Sequence, residues 1–352
     1  MSEQLQSDFD KTVKTAEISQ EEILIKKDFL NKFIESGFPN KKQEDWKFLD
    51  ISQIIKKDIS NLSFFNDYSQ SNKIDPSIYI DSLDHNKIVF TNGRIEKIDF
   101  SHEDQNKIEI IDDTKKNTSF DNKNPLIDLN SALIHKVFKI LIKKDYSLKK
   151  PLIIYHSTNE KVTSTNINLR LDFELGEKSC LKLIDYFANN RTKNFLNIFY
   201  NFHLEKDSIL KNYKIDKFKN DDLKYSFNNI EQGNNSVSET FILSAGSNYF
   251  KNEINCNLNG EYSSAFINGI FSLKENQKHE IRSTVNHLVE NTKSYQLIKS
   301  VLGKNSKSAY QGRIFVNSKA QKTDGYQLSK AILLDETSEF NAKPELEIYA
   351  DD

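Results

Sequence analysis

The sequence predicts a mainly β chain preceded by a mainly helical N-terminal region, and three observations carry that expectation. First, proline and glycine divide the 352 residues: the prolines are Pro39, Pro76, Pro125, Pro151 and Pro344, and eight of the ten glycines fall between the last two. Proline cannot donate a ladder hydrogen bond, so a long proline-free stretch suits continuous sheet. Second, apolar residues after Pro151 recur at every second position, the period of a half-buried strand. Third, Ser19 and Glu22 have capping-box spacing ahead of Ile23, Leu30, Phe33 and Ile34, which recur at helical spacing.

The elements follow in order. The first helix runs from Ser19 to a stop at Gly37 and Pro39. A short second helix is expected over Trp46–Ile55, its lone Trp anchoring it against a neighbour. Lys87–Ile95 reads as a hairpin, because Asn92-Gly93 suits a type I′ turn. Ala132, Leu133, Val137 and Leu141 predict a further helix over Asn130–Lys143. Residues 1–120 are thus expected to form a mainly helical domain with a small hairpin, 121–148 a connector and 149–352 a β core.

Within that core, Ile167, Leu169, Leu171, Phe173 and Leu175 alternate with polar residues. Ile198–Leu204, Ile254–Leu258, Ala265–Leu273, Ile314–Val316 and Leu346–Ala350 repeat the pattern. Asparagine rises from 12 in residues 1–150 to 26 in 151–352, which suits tight turns. Many short strands without crossover helices leave a sandwich, a barrel or a β-solenoid open.

Composition excludes several functions. Forty-nine basic and 51 acidic residues give a net charge of −2, and Arg supplies five of the basic ones, a poor basis for nucleic-acid readout. No apolar run approaches the ~20 residues of a membrane span, and the N-terminus lacks an apolar signal region, so a cytoplasmic location is expected. Cys180 and Cys256 are 76 residues apart, which excludes a disulfide framework; both read as small buried hydrophobes. Gly176-Glu177-Lys178-Ser179 lacks the upstream glycine of a phosphate-binding loop. His279 and His287 would share a strand face but lie roughly 27 Å apart, too far to hold one ion without a turn between them, so they read as ordinary exposed or hydrogen-bonded histidines. Asp172, Glu174, Glu253 and Glu280 offer only accidental acid pairs. Lys56-Lys57, Lys115-Lys116 and Lys143-Lys144 read as solvated surface. No catalytic residue and no metal ligand is assigned.

Several segments carry a family resemblance. Glu35-Ser36-Gly37-Phe38-Pro39 followed by Gln43-Glu44-Asp45-Trp46-Lys47-Phe48 resembles the start of SufD-type proteins. Val89–Gly93 and Asp128–Leu133 resemble two further landmarks. The strongest likeness is His279–His287, Ser294, Gly312–Val316, Ala320–Asp324, Gln327 and Lys343–Asp352, shared by SufB- and SufD-type proteins. The resemblance implies a right-handed parallel β-helix behind an N-terminal helical domain. It also implies a scaffold subunit, not an enzyme, of an iron–sulfur cluster assembly complex, paired with a SufB-type subunit and working with the ATPase SufC. The iron–sulfur cluster, and in the family a reduced flavin, belong to the whole complex; nothing here identifies a flavin site. The competing reading is a carbohydrate-active β-helix enzyme or adhesin.

In the family the last strand runs on into a cysteine–histidine segment and ATPase-docking helices. The sequence ends at Asp352, so a truncated chain is expected, with a natural short form as the alternative. The last strand should leave an open edge, where a partner strand can add. Glu345, Glu347, Ile348, Tyr349 and Asp351 are the expected partner interface.

Overall fold

The computed structural model describes residues 2–15, 18–67, 76–112, 124–188 and 192–351. Lys115-Lys116 and Asp352 lie outside the described residues. The described helices are α1 (Ser2–Thr15), α2 (Gln20–Ser36), α3 (Ile51–Lys57) and α4 (Pro125–Leu133). The capping box of α2 is complete: the Glu22 N–H donates to Ser19 Oγ at 3.2 Å, and the Ser19 N–H donates to Glu22 Oε2 at 2.9 Å.

Three helical elements differ from expectation. α1, which buries Leu5 and Phe9, is not among the helices expected from the sequence. The helix expected over Trp46–Ile55 is a 3₁₀ turn, Glu44–Trp46, followed by α3, whose start Asp50 caps by accepting from the Gln53 N–H at 2.9 Å. The helix expected over Asn130–Lys143 is α4 followed by a strand, Val137–Ile142. Leu133, Val137 and Leu141 are four apart, so they mimic one helical face across that break. Pro125 in the first turn and an Asn124 cap on the Leu126 N–H set the true start. Val137, Ile140 and Ile142 favour the strand.

The β region is a parallel solenoid of about 7 turns. One sheet contains β1 (Asn86–Thr91), β2 (Arg94–Asp99), β5 (Leu152–Ser157), β7 (Cys180–Phe187), β9 (Ile209–Asp216), β11 (Val237–Ser244), β13 (Ser264–Leu273), β15 (Lys293–Leu302) and β17 (Asp324–Leu333). The other contains β3 (Ile108–Asp112), β4 (Val137–Ile142), β6 (Asn166–Leu175), β8 (Phe195–Leu204), β10 (Asn220–Gln232), β12 (Ser247–Leu258), β14 (Lys278–His287), β16 (Lys307–Val316) and β18 (Glu339–Ile348). The hairpin and part of the expected connector therefore already belong to the solenoid: β1 pairs in parallel with β5, and β4 with β6. The hairpin turn is Asn92-Gly93, both at positive φ.

Inward-facing Leu169, Leu171, Phe173, Ile198, Phe202, Ile254, Ile267 and Val285 form one continuous core. Four-residue corners turn the chain between sheets. Gly176–Ser179, Glu205–Ser208, Gly233–Ser236 and Gly303–Ser306 each hold their third residue at positive φ (Lys178, Asp207, Asn235, Asn305). Ser208 Oγ donates to the Glu205 carbonyl at 2.6 Å, and Ser236 Oγ to the Gly233 carbonyl at 2.8 Å. The Gly176–Ser179 segment is thus a coil corner. A second core joins α1–α4 to the outward face of β8 and β10 through Phe195, Phe199, Leu223 and Tyr225.

Candidate functional site

The two ends of the solenoid are built differently. At the N-terminal end β2 and β3 run antiparallel to their neighbours and are the outermost strands of their sheets, with the charged Glu96, Lys97 and Asp99 on β2. At the C-terminal end β17 and β18 are the last strands of their sheets. Leu346 and Ile348 face the interior, where another coil would cover them, yet they are 60% and 55% exposed; Leu333 of β17 is 49% exposed.

The backbone of β18 is half used. The Glu339 N–H donates to Ser306 at 3.1 Å and the Tyr349 N–H to Val316 at 2.9 Å. Alternate residues of a parallel strand bond the same neighbour. The N–H groups of Phe340, Ala342, Leu346 and Ile348 therefore point away from β16, along the open edge. Pro344 belongs to this set, so its missing N–H breaks no bond within the chain.

The expected interface residues sit on this rim in different roles. Ile348 presents its side chain at the open interior and its N–H at the edge. Glu345 and Glu347 face outward and are paired already, with Lys343 at 2.6 Å and Arg313 at 2.7 Å. The exposed Tyr349 lies against the Phe315 ring at 5.6 Å, and Asp351 is exposed beyond the strand. Leu346, Leu333 and Leu334 complete the apolar part of the rim and were missed. Alternation marks an inward residue but does not say whether another coil lies beneath it.

A strap from the N-terminal region reaches the same end. The Trp46 ring is buried against Tyr225 at 5.4 Å, and Lys251 Nζ lies 4.4 Å from its centre. Lys251 Nζ also donates to the Asp45 carbonyl at 2.6 Å and to Glu280 at 2.5 Å. Arg282 pairs with Asp45 at 2.8 Å, and Lys343 of β18 with Glu44 at 2.7 Å. The Glu44–Trp46 turn thereby joins β12, β14 and β18. Burial raises the Glu253 carboxyl above its ordinary range, against the pull of Lys251 and Arg282. Glu253 and Glu280 do meet at Lys251, at 3.6 and 2.5 Å, and both are buried beneath the strap. Asp172 instead pairs with Arg170, and Glu174 with Lys139.

The interior also holds ion pairs. Asp185 receives a hydrogen bond from Lys214 Nζ at 2.6 Å and bonds His156 Nε2. Burial pushes the Asp185 carboxyl up, but Lys214 and His156 outweigh it and hold it well below the carboxylate range. Lys224 pairs with Asp216 at 2.7 Å. His279 contacts Ser244 Oγ at 2.7 Å and the Ser247 carbonyl at 2.6 Å; His287 contacts Thr292 and Ser294. Burial lowers each imidazole to about 4, so both are neutral, fully partnered core groups. Cys256 is buried, its thiol pushed up to about 12, while Cys180 is half-buried with its thiol also raised. Among the described residues no cluster of His, Cys, Asp or Glu could hold a metal ion, and no helix is long and apolar enough to cross a membrane.

Residues 156–352 match the family described as SUF system FeS cluster assembly, SufBD core domain. The chain belongs to this family. The SufBD core match covers the solenoid from the end of β5 to the open rim. The chain is also similar to the iron-sulfur cluster assembly protein SufD of Escherichia coli (strain K12), 24% identical over 337 residues, covering 92% of this chain and 76% of that relative. This SufBD-core chain is thus a SufD-type iron–sulfur cluster assembly subunit, as the segments around Trp46 and Lys343 suggested.

Proposed function

We propose that the chain is a non-catalytic scaffold subunit that pairs with a SufB-type subunit through its open C-terminal coil and works with a SufC-type ATPase. Iron and sulfide are the cargo of the whole complex. The observation that carries this reading is the last coil of the described residues, where Leu333, Leu346 and Ile348 face the interior and are exposed. Parallel coils with exposed interior leucines and unused edge N–H groups are suited to strand addition. The interface would comprise Leu333, Glu345, Leu346, Glu347, Ile348, Tyr349 and Asp351.

The test is co-expression with the SufB-type and SufC-type proteins of the same organism, followed by sizing of the complex. Ile348→Pro removes an edge donor without touching the ladder to β16, whereas Glu347→Pro would also break an internal bond. Ile348→Pro should abolish the heterodimer while leaving the far-ultraviolet spectrum unchanged. A full-size complex with Ile348→Pro overturns the edge reading.

A further inference from the structure

The outward faces of the two sheets differ. On the even-numbered sheet the outward face is covered by the helical region or lined by an asparagine ladder, in which Asn229 donates to Asn201, Asn255 to Asn229 and Asn286 to Asn255. On β13, β15 and β17 the outward face mixes apolar side chains with the exposed Lys293, Lys299, Asp324 and Lys330. Ile270, Tyr295, Val301, Tyr326 and Ile332 are all exposed. The register stacks Tyr295 on Tyr326, with rings 4.9 Å apart, Leu297 beside Leu328 and Val301 beside Ile332. Three strands about 4.8 Å apart and about 33 Å long make a face of roughly 450 Å², on which the apolar side chains are grouped around Tyr295 and Tyr326.

At the centre of this face Lys299 stands directly opposite Lys330, both exposed. Like charges in direct register destabilise a ladder. Neither lysine has an ion-pair partner among the described residues, so nothing described on this chain offsets the repulsion. An apolar strip with a central pair of cations is complementary to an amphipathic helix whose apolar face is flanked by carboxylates. A helix of about 18 residues is about 27 Å long and fits along these strands.

We propose that the outward face of β13, β15 and β17 docks an acidic-flanked amphipathic helix from a partner subunit. The carboxylates would lie over Lys299 and Lys330, and the apolar side would cover Tyr295, Leu297, Tyr326 and Leu328. This surface goes beyond the edge pairing proposed above and does not depend on it.

The test uses the full chain and a fluorescein-labelled, 18-residue peptide with an apolar stripe of leucine and phenylalanine flanked by glutamate. A lysine-flanked counterpart and a scrambled sequence serve as controls. By anisotropy the acidic peptide should bind at least tenfold more tightly than either control. K299E/K330E, at exposed positions, should weaken it at least tenfold and improve the lysine-flanked peptide. Tyr326→Asp should weaken both helical peptides. Leu346→Asp, on the edge, should leave peptide binding unchanged, which separates this surface from the heterodimer reading. Equal binding of all three peptides, or no effect of K299E/K330E, overturns the proposal. So does a wild-type dimer in sedimentation that K299E/K330E dissociates, because a second copy would then be the occupant.

Discussion

Replacing Lys251 with Met tests whether the strap holds the helical region to the solenoid. Lys251 is fully buried, donates to Glu280 and the Asp45 carbonyl, and lies under the Trp46 ring. Without it, Glu280 keeps only the Gln311 Nε2 donor at 2.7 Å. Breaking a buried ion pair by removing one partner costs about 3–5 kcal/mol, and loss of the desolvated cation–π contact adds about 1–2. Lys251→Met should therefore cost about 4–7 kcal/mol. Glu280→Gln alone leaves the Lys251 ammonium only the Asp45 carbonyl and the longer 3.6 Å contact with Glu253 and should also destabilise, by about 2–4 kcal/mol. The double variant removes both charges, so its cost should fall at least 2 kcal/mol short of the sum of the singles. Urea unfolding followed through Trp46, the only tryptophan, reads the strap directly. Additive singles, or a Lys251→Met cost below 1 kcal/mol, would refute the reasoning.

Further outcomes follow from the same structure. His279 and His287 should show no titration between pH 5 and 8 by NMR. Their folded values near 4 lie below the unfolded value of about 6.5, so the unfolded chain binds more protons in between. Each therefore contributes stability present above pH 6.5 and lost as pH falls towards 4, up to about 3 kcal/mol apiece; replacing His279 by Gln should flatten that part of the pH–stability curve. Gly260→Ala would set a Cβ 2.1 Å from the Asn234 backbone nitrogen, a clash no rotamer relieves, and should cost at least about 2 kcal/mol by thermal unfolding. Ser236→Ala removes a corner hydrogen bond and should cost about 1 kcal/mol by the same measurement.

What the sequence disclosed tracks the chemistry of each strand's inward face. β6, β8 and β13 line the core with Leu, Ile and Phe, so alternation shows. The inward face of β10 includes Lys224, Ser226 and Asn228, and that of β9 Asn212, Lys214 and Asp216, so their polar interiors hid them. The repeat was hidden as well: Leu223 pairs with Tyr249, 26 residues on, Lys278 with Lys307, 29 on, and Lys307 with Glu339, 32 on. The corner serines and their positive-φ neighbours were the available signal. At the rim, Ile348 and Tyr349 were named from the edge argument, whereas Leu346 read as ordinary core and Leu333 was not singled out. The strap depends on contacts between residues about two hundred positions apart, which no local pattern reports.

The central claim is that the last coil is completed by a partner strand, and hydrogen exchange at β18 tests it most directly. In the free chain the amides of Phe340, Ala342, Leu346 and Ile348 should exchange rapidly while those of Glu345 and Glu347 stay protected. On adding the SufB-type subunit, the first set should slow at least a hundredfold. A complex that forms while those four amides keep exchanging as in the free chain would contradict the account.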